Sequence, residues 1–393
     1  MKIVVLSFYY RPDLCAGSFR ATALVTQLRE IAPQGTQIDV VTTLPNRYRS
    51  FNAQAPRLED DGAINVVRIP LPAHQSGMRD QSRAFAVYAR SALRLMRGRH
   101  YDLVFATSSR LMTAVLASRI ARRLHARLYL DIRDIFVENV HEVLPRRVSW
   151  FTRPALQRLE RYALDRADKI NLVSPGFAPY FEARYPGRPL GFFTNGIDDE
   201  FLEPAVAERP LDRNGRPLTI VYAGNLGEGQ GLHVVLPGLA LAMAGRARFR
   251  IIGDGARREA LQSALAAGHV RNVELLPPME RNRLLQEYQA ADVLFMHLND
   301  FEAFKKVLPS KVFEYAAMRK PVWAGVAGYA AEFVRNEVAN AAVFAPCDVA
   351  GALTAFDGLE IRDTDRAVFV QKFARAQIAR EMAQDILATA GQD

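Results

Sequence analysis

At 393 residues and 43.9 kDa the chain is too long for one hydrophobic core, which points to two domains of ordinary size. Its 49% apolar and 24% charged residues exclude a disordered or fibrous protein, and only two cysteines, Cys15 and Cys347, exclude a disulfide framework or a thiolate zinc site. The net charge of +9 is uneven: residues 1–195 hold 29 Lys and Arg against 16 Asp and Glu, the remainder 22 against 26, so the first half is expected to meet an anionic partner.

The apolar run at 3–6 is too short for a signal peptide, and no stretch approaches the roughly 18 apolar residues of a spanning helix. A soluble, cytoplasmic protein is expected. Val/Ile/Leu-rich runs predict strands at 2–8, 38–43, 64–69, 101–107, 127–132 and 169–173. Helical periodicity falls between them at 18–31, 82–96, 111–125 and 149–167. The polar stretch 44–61 has no periodicity and reads as a loop. The alternation stops near Thr194-Asn195-Gly196 and a linker with Pro204, Pro210 and Pro217. It restarts with strands at 218–223, 249–252, 272–276, 292–297, 321–324 and 342–344. Helices are expected at 232–244, 256–266, 281–290 and from 310, with a last one over 365–387. Two doubly wound α/β domains are implied, 1–195 and 196–364, with 365–393 crossing back as a C-terminal helix. Ligands of such folds lie at strand carboxyl ends, so the loops there carry the chemistry.

The first such loop, 9–18, lacks the G-x-G-x-x-G of a dinucleotide fold, which argues against a nicotinamide or flavin dehydrogenase. Its Gly17 opens a helix, either as a plain entry or to let backbone approach a ligand. Four glycines in eight residues (Gly224, Gly227, Gly229, Gly231) stand between a strand and a helix, suited to an anionic group at backbone N–H donors or to a flexible turn. Gly253-Asp254-Gly255 follows the next strand. In Phe304-Lys305-Lys306-Val307-Leu308-Pro309-Ser310-Lys311-Val312-Phe313-Glu314, Pro309 suits a first helical turn. Ser310, Lys311 and Glu314 then share one face. Together they make a nucleotide-diphosphate clamp, or an ordinary Lys–Glu pair on a surface helix. No D-x-D pair or His cluster occupies a strand-end loop, so no metal and no cofactor is expected.

Arg90, Arg94 and Arg97 recur on or just after one predicted helix, and Arg146 and Arg147 flank Trp150 and Phe151. Guanidiniums beside aromatic rings suit an anionic lipid surface; a solvated helix face is the other reading. Nucleic acid is not expected, for no reading motif is present.

The order of Gly17, Thr194-Asn195-Gly196-Ile197-Asp198, Gly224-Asn225-Leu226-Gly227, Gly253-Asp254-Gly255, Pro309-Ser310-Lys311-Val312-Phe313-Glu314 and Lys320-Pro321-Val322 resembles glycosyltransferase family 4. These are retaining enzymes of the GT-B fold, two Rossmann-like domains facing a cleft. The likeness spans the chain and is nearest to bacterial enzymes of surface polysaccharide and lipopolysaccharide synthesis.

The resemblance implies a nucleotide diphosphate sugar donor, UDP-linked by preference, and a lipid-linked or lipopolysaccharide acceptor on the first domain at the inner face of the membrane. It implies that Glu314 binds the donor ribose, that Ser310, Lys311 and backbone near Pro309 hold the diphosphate beside Gly224, Asn225, Gly227 and Gly253, and that main chain at Pro278 and Met279 faces the base. Gly17 would approach the leaving phosphate. The chain departs from the family pattern in three places. Lys306 stands where a first Glu is usual toward the donor, and Asn225 and Gln230 stand in place of an Arg and a Lys in the glycine loop. Arg133 or Asp134 takes the place of a frequent His. With Glu138 and His141 these are the candidates for catalysis or acceptor contact, Glu142 standing beside them; none is a matched catalytic histidine. A UDP-sugar 2-epimerase of the same fold and a non-enzymatic anionic-surface-binding protein are the alternatives.

Overall fold

A computed structural model of the chain describes residues 1–13, 15–45, 54–72, 78–108, 110–138, 146–202 and 215–391. The chain divides into two units, Met1–Asn195 with Arg375–Asp393, and Gly196–Ala374.

The first unit opens with β1 (Lys2–Leu6), α1 (Ala16–Ile31), β2 (Gln37–Thr43), β3 (Leu58–Asp60), β4 (Ile64–Ile69) and α2 (Met78–Leu95). It continues through β5 (Leu103–Ser108), α3 (Leu111–Leu124), β6 (Arg127–Ile132), α4 (Arg146–Leu164), β7 (Lys169–Leu172), α5 (Ala178–Arg184) and β8 (Leu190–Gly191). The sheet order is β3-β4-β2-β1-β5-β6-β7-β8, parallel except where β3 meets β4. Strands covered on both faces must be apolar throughout, and Ile3, Val4, Val5 and Leu6 are fully buried. Helix α1 buries Leu24, Val25 and Leu28, and ends where Ala32 turns extended before Pro33.

The stretch 44–61, expected to be loop, contains strand β3. Its pairing Leu58↔Val67 is anchored by charge rather than apolar alternation. Buried Arg68 donates from Nη2 to Glu59 Oε2 at 2.9 Å, and its N–H donates to the Arg57 carbonyl at 2.8 Å. A three-residue polar edge strand has no period to read. Residues 46–53 of that stretch lie outside the described residues.

The second unit runs β9 (Leu218–Ala223), α6 (Leu232–Ala242), β10 (Ala247–Ile252), α7 (Arg258–Ala267), β11 (Val273–Leu276), α8 (Arg281–Ala290) and β12 (Val293–His297). It ends with α9 (Lys311–Ala317), β13 (Val322–Gly325), α10 (Gly328–Glu337), β14 (Ala341–Phe344), α11 (Val349–Asp357) and α12 (Ala367–Phe373). Its parallel sheet has the order β11-β10-β9-β12-β13-β14. Tyr222, Phe249, Phe295 and Trp323 are buried in the core beneath α6.

The expected 365–393 helix is two helices in two units. Helix α12 belongs to the second unit because Phe369 and Phe373 pack on Phe313 and Phe333. The Phe373 carbonyl also accepts from the Ile197 N–H at 2.8 Å. The chain breaks at Ala374, and α13 (Arg375–Ala390) joins the first unit, setting Met382, Ala383 and Ile386 against α1.

Candidate functional site: two strand-end clusters

In each sheet the strand order reverses at the first strand of the unit, β1 between β2 and β5, and β9 between β10 and β12. In doubly wound sheets ligands bind at such reversal points, outside the carboxyl ends of the strands. The glycine loop 224–231 follows β9, and residues 298–300 follow β12.

Two glycines make the second crevice possible. Gly224 and Gly253 both sit at φ +148°, and a Cβ on Gly253 would run into the Gly224 carbonyl oxygen. The loops after β9 and β10 therefore press together, joined by Gly224 N–H to Ile252 O at 2.8 Å and Leu226 N–H to Asp254 O at 2.9 Å. A Cβ on Gly224 would in turn occupy the space of the Lys311 side chain, whose ammonium lies 4.9 Å from the Tyr222 ring centroid. Asn225 Nδ2 donates to Gln230 Oε1 at 2.8 Å, so the two neutral residues that replace expected cations close the loop on itself.

The end of β12 clamps the same loop. Asn299 donates from N–H to the Gly229 carbonyl at 2.9 Å and from Nδ2 to the Glu228 carbonyl at 3.0 Å. Buried His297 accepts the Cys347 N–H at Nε2, 2.9 Å, which assigns its proton to Nδ1 for donation to the Gln230 carbonyl at 2.7 Å. Burial pushes His297 down to about 4, the Gln230 bond opposing, so the ring is neutral at pH 7.

Helix α9 begins at Lys311, not at Pro309: Ser310 caps it, and the Pro309 and Ser310 carbonyls accept the N–H groups of Val312 and Phe313, each at 3.2 Å. Lys311 and Glu314 do share a face. Glu314 is close enough in charge to influence Arg281, Tyr288 and Tyr315, while Tyr315 Oη accepts the Ala223 N–H at 3.0 Å. Lys306 ends the short turn Glu302–Lys306, and Pro278 and Met279 lie between β11 and α8.

In the first unit, Gly17 falls in the first turn of α1, where a Cβ would stand 2.5 Å from Arg133 Nη1. Burial pushes the Arg133 guanidinium down from its ordinary value against Asp131 and Asp134, and its Nε has no hydrogen-bond partner among the described residues. Asp134 and Glu138 follow Arg133 in the same segment, and Glu138 lies near Glu160, whose carboxyl burial raises. His141 and Glu142 lie outside the described residues. Arg90, Arg94 and Arg97 are exposed along and just past α2. Arg146, Arg147, Trp150 and Phe151 fall in the opening turns of α4, where only the backbone is described.

Three further groups carry this architecture. Arg20 on α1 makes a buried two-pronged ion pair with Asp131, Nε to Oδ2 at 2.8 Å and Nη2 to Oδ1 at 2.9 Å. It also donates to the Thr194 carbonyl at 2.6 Å and the Phe193 carbonyl at 2.7 Å. Burial would raise Asp131; Arg20 and Asn171 carry it below the usual carboxylate range. The second group is His297 with Asn299, and the third is Arg281. A charged residue inside a helical repeat and an Asp ending an apolar strand were the signals for the first, and His-Leu-Asn closing an apolar strand for the second. Among the described residues no cluster of His, Cys, Asp and Glu could hold a metal ion, and no helix is long and apolar enough to cross a membrane.

Comparison with known proteins sets this geometry in context. Residues 21–191 match the glycosyl transferase 4-like domain, and residues 217–359 the glycosyl transferases group 1 domain. The chain is 26% identical over 337 residues to the putative colanic acid biosynthesis glycosyl transferase WcaI of Escherichia coli (strain K12), covering 79% of this chain and 80% of that one. Among solved structures it is similar in fold to Anabaena HepE in complex with UDP-glucose, TM-score 0.68, 16% identity, 99% of each chain covered. It is likewise similar to WaaG, a glycosyltransferase involved in lipopolysaccharide biosynthesis, TM-score 0.62, 13% identity, 99% of this chain and 97% of that one covered.

Proposed function

Because the chain belongs to the family 4 glycosyltransferases of the GT-B fold, we propose that it moves a sugar from a nucleotide diphosphate, UDP by preference, to a lipid-linked or lipopolysaccharide acceptor in surface polysaccharide synthesis. The observation that carries this reading is the crevice of the second unit: glycine backbone at 224–231, the Lys311 ammonium pressed against Gly224, and Glu314 one turn further along the helix. A diphosphate needs positive charge and N–H donors, and a ribose needs a carboxylate to accept its hydroxyls. WcaI and WaaG, named for cell-surface polysaccharides, support the acceptor class, and HepE in complex with UDP-glucose supports the donor class.

In the reaction the acceptor oxygen bonds to the anomeric carbon as the bond from that carbon to the β-phosphate oxygen breaks. Retention follows from attack on the face the phosphate leaves, and the departing diphosphate takes the acceptor proton. Lys311 and the Ser310 hydroxyl stabilise the charge growing on the phosphate, which makes a metal unnecessary. Pro278 and Met279 main chain face the base, with Asn225, Gly227, Gly253, Lys306 and Pro309 lining the donor. Gly17, Arg133, Asp134, Glu138 and His141 belong to the reacting end on the first unit. The exposed Arg90, Arg94 and Arg97 stripe, with the Trp150 and Phe151 end of α4, rests on anionic lipid at the cytoplasmic face, each basic side chain adding about 1 kcal/mol.

The test is a thermal-shift panel of UDP, GDP, dTDP and ADP on the unsubstituted protein and Glu314→Ala. One nucleotide should stabilise the former and not the latter; equal behaviour of the two proteins removes Glu314 from the site.

A further inference from the structure

We propose that the first unit carries an anion site of its own, a cavity at the amino ends of β6 and β7 that takes a phosphate or diphosphate group. The site does not depend on the donor reading above. It belongs to the opposite edge of the sheet from Arg133, with the six residues of β6, about 20 Å, between them.

Strands of a parallel sheet all begin at one edge and the helices between them end there, so residues far apart in the chain meet at that edge. The cavity they form measures about 650 Å³, room for a small ligand. Four arginines line it: Arg122 in the last turn of α3, Arg127 at the start of β6, Arg166 between α4 and β7, and Arg188 just before β8. Asp165 and Asp168 are the carboxylates on its walls. Asp168 is already engaged, its Oδ1 accepting from Arg127 Nη1 at 2.9 Å and its Oδ2 from the Leu128 N–H at 2.8 Å.

The carboxyl end of a helix repels an anion, because its last carbonyls point outward. Here guanidiniums cover those carbonyls. Arg122 donates from Nη2 to the Tyr162 carbonyl at 3.0 Å, and its guanidinium carbon lies 4.0 Å from the centre of the Tyr162 ring. Arg188 donates from Nη1 to the Ala167 carbonyl at 3.3 Å and from Nη2 to the Asp165 carbonyl. A carbonyl fixes a guanidinium without neutralising it, so both arginines keep their charge and further N–H donors. The Arg166 guanidinium makes no hydrogen bond or ion pair among the described residues. Four cations thus face two carboxylates, and three of the four are held in place. Planar forks fixed in advance match phosphate oxygens at little ordering cost. Capping of α4 by itself accounts for Arg122 and Arg188, and leaves Arg166 and the cavity unexplained.

The experiment titrates inorganic pyrophosphate into the full chain by calorimetry and follows hydrogen exchange over 122–128 and 165–168. Lys311→Met is the common background, which keeps the crevice of the second unit out of the readout. Pyrophosphate should bind and protect both segments. Arg166→Ala should weaken binding about tenfold, the scale of one charge-assisted hydrogen bond, and leave the melting temperature without ligand unchanged. Arg123→Ala removes the same charge from the adjacent turn of α3 outside the cavity and should weaken binding less than about twofold. Sedimentation with phosphatidylcholine vesicles containing phosphatidic acid identifies the source of the phosphate. A loss in Arg166→Ala assigns the site to a lipid phosphate; loss of pyrophosphate binding with unchanged sedimentation assigns it to a soluble one. Binding that Arg166→Ala leaves unchanged in both assays, equal losses in Arg166→Ala and Arg123→Ala, or no binding in either assay overturns the inference, and the donor reading is untouched by all three.

Discussion

The two strand-end clusters are built from opposite materials. In the first unit, charged side chains organise the loops: Arg20 and Asp131 form a buried pair that reaches the carbonyls of Phe193 and Thr194, and Arg133 lies over Gly17. In the second, backbone and neutral groups do most of this, Gly224 against Gly253, Asn225 with Gln230, and uncharged His297 with Asn299 on the loop carbonyls, while Arg258 Nη1 donates to the Gly253 carbonyl at 2.7 Å and Arg257 pairs with Glu228. The lesson is electrostatic. Fixed glycine backbone with the Lys311 ammonium against Gly224 suits an anionic group, whereas the basic first unit tolerates buried charge because Arg20 is paired with Asp131.

That contrast can be broken or sharpened by substitution. The largest effect should come from Asp131→Asn, which strands Arg20 in the core of the first unit: about 3–5 kcal/mol of stability lost, read by urea denaturation. A loss below about 1 kcal/mol would mean the pair is not what organises that unit. Next comes the pH response of the second unit. His297 has a folded pKa of about 4 against 6.5 unfolded, so the unfolded chain takes up the proton first as pH falls. Stability is therefore full above about pH 6.5 and falls by about 3 kcal/mol down to about pH 4, where it levels. Denaturation across that range should show the slope in the unsubstituted protein and not in His297→Gln.

Smaller again is Gly253→Ala. Its methyl meets backbone, which cannot swing aside, so about 1–3 kcal/mol should be lost together with any nucleotide-dependent thermal shift. Retained binding would show that contact between the two glycine loops is not needed. Smallest in stability is Arg90→Glu with Arg94→Glu and Arg97→Glu on the exposed α2 face, within about 0.5 kcal/mol. Sedimentation with vesicles containing anionic lipid should nevertheless fall, and unchanged sedimentation would move the membrane surface elsewhere.

Alternating apolar strands and amphipathic helices determined two doubly wound sheets, because a strand buried on both faces has no other composition available to it. Glycine density marked the loop after β9, and the Pro309-Ser310-Lys311 turn marked α9, since both signals are local in the chain. Tertiary structure alone decided which charges share a pocket. Arg20 meets Asp131 across 111 positions, and Arg281 meets Asp198 across 83. It also decided that the last 30 residues split at Ala374, because Phe313 and Phe333 hold one helix through its Phe369 and Phe373 and a different apolar face takes the next. Periodicity records which face of an element is buried, while the partner that covers it is set only when the sheets close.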